Sequence, residues 1–176
     1  KGLGIAGIDD GFLDDALGQI AQVPGAIANV HCENMEICAR LSKRLQAAGR
    51  NDLAAWAEGR PGYAEAENIL RVGYFAHRHG CPLYIVHLSA AESLEAVRQL
   101  KRQGVRVHVE TCIQFLTHTV HEPIGNRGKV NPPIRFATAG PGKRSAERVG
   151  RIGRRQEVHG TRGGLVRRLA GRTQTV

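Results

Sequence analysis

Cys81-Pro82-Leu83-Tyr84-Ile85-Val86-His87-Leu88-Ser89 is the stretch on which the fold turns. From Pro82 to His87 it is a short apolar run, rich in branched residues, with Gly80 just before it and a polar turn just after. That pattern is the mark of a strand buried on both faces. Two further runs have the same character: Ala26 to His31 upstream and Arg106 to Thr111 downstream. Two of the three strands therefore end in histidine, at His31 and His87.

The segments between these runs have a helical period. Residues 12–22, 34–48, 63–79 and 91–103 carry apolar residues at spacings of three and four, and Gly49, Gly80 and Gly104 stand where helix C-caps belong. Strands alternating with helices specify an α/β fold with a parallel sheet. Alternation alone does not choose between an open doubly wound sheet and a TIM barrel, because both use the same repeat. Histidines at strand ends lean toward the barrel, whose enzymes gather their chemical groups at the C-terminal edge of the sheet.

The bulk properties narrow the function. The 176 residues are 41% hydrophobic and allow one domain with a real core. No run approaches the roughly 20 apolar residues of a membrane helix, so no membrane partner and a cytoplasmic location are expected. The sole methionine is Met35 and the chain opens on Lys1, from which a piece of a longer protein is expected. Cys32, Cys38, Cys81 and Cys112 are scattered through apolar or helical segments and are expected to be reduced core thiols. The net charge of +9 is unevenly distributed. Residues 1–135 hold 15 Lys and Arg against 14 Asp and Glu, a net of +1, whereas residues 136–176 hold 10 against 2, a net of +8. Two segments are expected on that basis: a barrel-like body over 1–135, and an Arg- and Gly-rich tail over 136–176 that reads as an unrelated or out-of-frame segment. The tail lacks aromatic interleaving, and no nucleic-acid partner is expected from it.

His31 and His87 each close an apolar strand and open a polar turn. Neutral imidazole is the commonest nitrogen ligand for zinc, and two rigid strand ends can hold two rings at one point. The alternative is that each ring caps its strand and bonds to backbone.

Several phrases resemble the cyclic amidohydrolase family of hydantoinases and dihydropyrimidinases, with dihydroorotases as close relatives. They occur in order: His31-Cys32-Glu33-Asn34; Arg60-Pro61 followed by Glu65-Ala66-Glu67; the Cys81–Ser89 run; Glu110-Thr111-Cys112; and Lys129-Val130-Asn131-Pro132-Pro133-Ile134-Arg135. The resemblance implies part of a TIM barrel around two divalent metal ions, usually zinc, bridged by hydroxide and a carboxylated lysine. Carried over by position, His31 and His87 are ligands of the second metal, Lys1 is the bridging lysine and Asn131 contacts the substrate. The implied reaction is hydrolysis of a ring amide in a small cyclic amide of the hydantoin or dihydropyrimidine type, in a homo-oligomer. Glu33 and Glu110 are candidates to orient the ligands; His77, His79, His108, His118 and His121 match no family role.

The sequence also departs from the pattern. No His-x-His pair precedes Lys1, residues 136–176 contain no aspartate to act as ligand and proton shuttle, and no tyrosine stands near Ala6 to stabilise an oxyanion. A poorly active or inactive chain is therefore one alternative, and a dihydroorotase-type hydrolase is another.

Overall fold

The structure, a computed structural model, describes residues 7–136. Its elements run α1 (Asp10–Ala21), β1 (Ala28–Val30), α2 (Met35–Ala47), α3 (Leu53–Glu58), α4 (Gly62–His79), β2 (Leu83–Ile85), α5 (Ala91–Arg102), β3 (Val107–Val109) and α6 (Ile113–Thr117), then a 3-10 turn at Gly125–Gly128. The strands form one parallel sheet in the order β1-β2-β3, with Ala28, Leu83 and Val107 aligned in one row and Val30, Ile85 and Val109 in another.

Local chemistry starts and stops the helices. Asp9, Asn34 and Asp52 each turn a side-chain oxygen back onto a first-turn amide, at Phe12, Ile37 and Ala55. Gly49, Gly80 and Gly104 take positive φ of 73°, 66° and 85°, the left-handed geometry that closes α2, α4 and α5.

The regular strands are shorter than the apolar runs that announce them. Ala26 donates to the carbonyl of Val23 and so belongs to the turn before β1, while Pro82 has no amide to give. Pairing nevertheless continues past the strand ends: Val86 N–H donates to the Val30 carbonyl at 3.3 Å, Leu88 to Glu110 at 2.8 Å and Glu110 to Ile85 at 3.1 Å.

The two faces of the sheet differ. Ala28, Leu83, Ile85 and Val107 are buried under α1, α4 and α5 in a core with Leu13, Leu17, Ile69, Val72, Leu94 and Leu100. The opposite row, Asn29, Tyr84 and His108, is half-buried or exposed. Cys32, Cys38 and Cys81 are buried as expected, and burial pushes the Cys38 thiol up to about 11. Cys112 departs from expectation: it is half-buried, because it stands at the N-cap of short α6 at the rim of the sheet.

α4 and α5 pack tightly at Gly73 of α4, where a Cβ would run into the Leu100 side chain of α5, with Cγ at 2.9 Å. Gly73→Ala is expected to destabilise the chain by about 1–3 kcal/mol through overpacking, read from the urea midpoint. The same substitution in a Leu100→Ala background should cost less than in the wild type, because the clashing side chain is gone.

Candidate metal centre

β1 and β2 deliver His31 and His87 to the C-terminal edge of the sheet, but alternation alone would set them on opposite faces. Asn29 and His31 share the parity of the open face, whereas Leu83, Ile85 and His87 share that of the helix-covered face. His87 escapes this rule through a φ of +41°, unusual for any residue but glycine. The turn there swings its ring toward His31: Nδ1 of His31 and Nε2 of His87 lie 2.8 Å apart, with ring centroids 4.7 Å apart.

A buried carboxylate fixes the pair. Glu33 is 6% exposed; its Oε2 lies 3.0 Å from His31 Nε2 and accepts from Arg60 Nη1 at 2.9 Å. Burial acts to raise the Glu33 pKa, but the His31 hydrogen bond and the Arg60 charge outweigh it and hold the carboxyl below its ordinary value. An ionised carboxylate only accepts, so the His31 proton sits on Nε2. In neutral His31 the lone pair on Nδ1 then faces His87. Burial, followed by the nearness of His31, pulls the His87 pKa below its ordinary value, which favours an uncharged ring.

This donor set fits a divalent metal. Two imidazoles converge, and one has a carboxylate behind it, the arrangement that orients histidine ligands in metal proteins. Zinc-bound nitrogens, each about 2.0–2.1 Å from the metal, stand roughly 3.4 Å apart at a tetrahedral angle. A small parting of the rings reaches that separation. Among the described residues no third His, Cys, Asp or Glu joins them in a metal-binding group. Lys1 lies outside the described residues.

Arg60 extends the site outward. Its guanidinium carbon sits 4.6 Å from the Trp56 ring centroid, and Trp56 Nε1 donates to the Val130 carbonyl at 2.8 Å. Asn131, the next residue, is exposed and does not line the cavity of about 700 Å³ that opens beside His31, Glu33 and Val30. The structure thus brings the two histidines together and holds Asn131 at one remove, through Trp56 and Arg60. Glu33 has the orienting position expected of it. Glu110 does not reach the pair and instead accepts from the Tyr84 hydroxyl at 2.9 Å. His118 pairs locally with Glu122, and His79 of α4 pairs with Asp14 of α1. Sequence reasoning gave no role to Arg60 or Trp56, although Arg60 lies in a quoted phrase.

No protein-family model matches the chain. An L-hydantoinase from Paenarthrobacter aurescens is 36% identical over 132 residues, which cover 74% of this chain and 29% of the relative. An allantoinase from Bacillus licheniformis is 33% identical over 130 residues, 73% of this chain and 28% of the relative. The crystal structure of dihydropyrimidinase from Brevibacillus agri is similar at a TM-score of 0.75 and 27% identity, covering 84% of this chain and 32% of that one. The chain therefore spans about three tenths of the length of these proteins. Its strands and helices form part of an α/β barrel. Likeness in sequence and likeness in fold converge on proteins of one kind, and the chain belongs to the cyclic amidohydrolase family.

Proposed function

We propose that this chain contributes the second-metal half-site of a hydrolase that opens the amide bond of a small cyclic amide of the hydantoin or dihydropyrimidine type. The observation that carries the reading is the convergence of His31 Nδ1 and His87 Nε2 at 2.8 Å, which depends on the left-handed turn at His87. The names of the similar proteins, hydantoinase, allantoinase and dihydropyrimidinase, support the substrate class.

In this reading His31 and His87 would hold a divalent ion, zinc by the preference of imidazole donors, and Lys1, as a carbamate, would supply an anionic oxygen ligand. Bound there, the metals supply a water of lowered pKa and polarise the ring carbonyl. Glu33 keeps the His31 proton on Nε2 and so leaves Nδ1 free to ligate. Arg60 neutralises Glu33 and keeps it from competing for the metal. Asn131 offers one donor and one acceptor group to the N–H and C=O of a cyclic ureide, from a segment that Trp56 holds. The site works in a homo-oligomer in the cytoplasm. Among the described residues no helix is long and apolar enough to cross a membrane.

Elemental analysis of the purified chain tests the proposal. Near-stoichiometric zinc, lost in the His31→Ala, His87→Ala double variant, is the expected result; equal metal in both proteins, or none in either, sinks it. Glu33→Gln is expected to weaken zinc binding about 10–100-fold in competition with a chromophoric chelator, because the amide orients His31 less firmly than the carboxylate.

The lowered pKa of His87 predicts a pH dependence in metal-free protein. An unfolded histidine titrates near 6.5, and His87 in the native chain titrates below that. Between the two values the unfolded chain takes up a proton that the native chain refuses, so this contribution to stability is complete above about 6.5 and lost as pH falls through the native pKa. In chelator-treated protein the urea midpoint should drop between pH 7 and pH 5, and His87→Gln should show a shallower drop.

A further inference from the structure

The left-handed backbone at His87 is unfavourable by itself, and it persists only where its surroundings fix it. Close to it in the chain, the turn that follows is held by a second buried carboxylate that the proposed chemistry does not use. Glu65, in the first turn of α4, is 2% exposed. Its Oε1 accepts from the amides of Ser89 at 2.9 Å and Ala90 at 3.4 Å. Its Oε2 accepts from the Ser89 hydroxyl and from Arg135 Nη2 at 2.7 Å. Four donors meet a group with about four lone-pair sites, so the carboxylate is saturated.

Each donor belongs to a segment that matters to the site. Ser89 and Ala90 form the turn that follows His87 and lead into α5, whose N-cap, Ala90, has no side-chain cap of its own. Arg135 ends the segment that begins at Asn131 and returns two bonds to the Ser89 hydroxyl, from Nε at 3.1 Å and Nη2 at 2.8 Å. Its remaining Nη1 donates to the carbonyl of Arg60, whose guanidinium holds Glu33 behind His31. On the far side, Leu88 donates to Glu110 and accepts from the Thr111 hydroxyl at 2.7 Å.

We propose that Glu65 and Arg135 are positioning residues: together they clamp the 88–90 turn, hold His87 in the conformation that faces His31, and couple the Asn131 segment to the metal half-site. The geometry rests on residue chemistry at each point. Arginine suits the position because the three separate nitrogens of one planar fork reach Glu65, Ser89 and the Arg60 carbonyl together, whereas the three donors of lysine all radiate from a single nitrogen. Glutamate is required because an amide at position 65 would turn an N–H₂ toward a donor. The proposal takes its metal from the function proposed above, but its test does not depend on that metal.

The experiment uses the full chain as wild type, Glu65→Gln, Arg135→Lys and, as a control of lowered stability away from the clamp, Leu100→Ala. In metal-free protein, imidazole nitrogen NMR reads the His31–His87 hydrogen bond, with circular dichroism reporting the folded fraction. In parallel, cobalt(II) affinity is measured on the folded protein. The expected result is that Glu65→Gln and Arg135→Lys abolish the shifts of the hydrogen-bonded pair and weaken cobalt about 10–100-fold. Leu100→Ala lowers the denaturation midpoint and leaves both readouts as in the wild type. Should Glu65→Gln fail to fold, Arg135→Lys, which keeps the charge, decides alone. Ring shifts unchanged in a folded Arg135→Lys protein overturn the clamp. A wild type that takes no cobalt overturns the proposed function, and the metal-free NMR comparison still decides the clamp.

Discussion

A parallel sheet cannot be made from local turns: after each strand the chain must travel back along a helix before it pairs again. The register of this sheet therefore depends on how α4 and α5 pack across it, through Ile69, Val72, Leu94 and Leu100 against Leu83 and Ile85. Once Ala28, Leu83 and Val107 are aligned, the ends of all three strands are level. His31, His87 and Glu110 arrive at one edge as a consequence. The helices are thus the source of the site's precision, although none of them supplies a histidine to it.

That dependence explains which features were legible in the sequence. The strands announce themselves as apolar runs and the four long helices by period, and the glycines that close α2, α4 and α5 do so by position. α3 and α6 are six and five residues long, too short for a period to establish itself, and they escaped notice. The apolar runs are longer than the strands within them, because Ala26 turns back onto Val23 and Pro82 pairs only through its carbonyl. The histidine pair was legible only as two strand ends. Simple alternation puts the rings on opposite faces, and the φ of +41° that reunites them leaves no mark in a histidine codon as it would in a glycine. Lys1 and the tail over 137–176 lie outside the described residues.

Two buried carboxylates beside the site are paired with half-buried arginines, Glu33 with Arg60 and Glu65 with Arg135. Removing such charges from water costs several kcal/mol per ion, and their mutual attraction often does no more than offset this. Apolar residues of equal volume would give comparable stability. They would not give direction: a carboxylate saturated by four donors tolerates one arrangement of those donors, whereas a leucine in its place tolerates many. The ion pairs are best understood as setting where groups lie, with little net effect on how stable the fold is.

The same view accounts for where the family resemblance lies along the chain. Only two residues in the quoted phrases, His31 and His87, are candidate ligands within the described residues. The phrases are longer than ligation needs because the structure joins them: His-Cys-Glu-Asn meets Arg60 through Glu33, Arg-Pro…Glu meets His-Leu-Ser through Glu65, and Asn-Pro-Pro-Ile-Arg closes on both through Arg135. Four segments, each tens of residues from the next, thus form one polar unit under the histidines. A substitution in any of them leaves a buried charge without its partner, which is far more damaging than the loss of one surface contact. The recognisable wording of the sequence is therefore chiefly the record of what holds the ligands, and the ligands themselves are the smaller part of it.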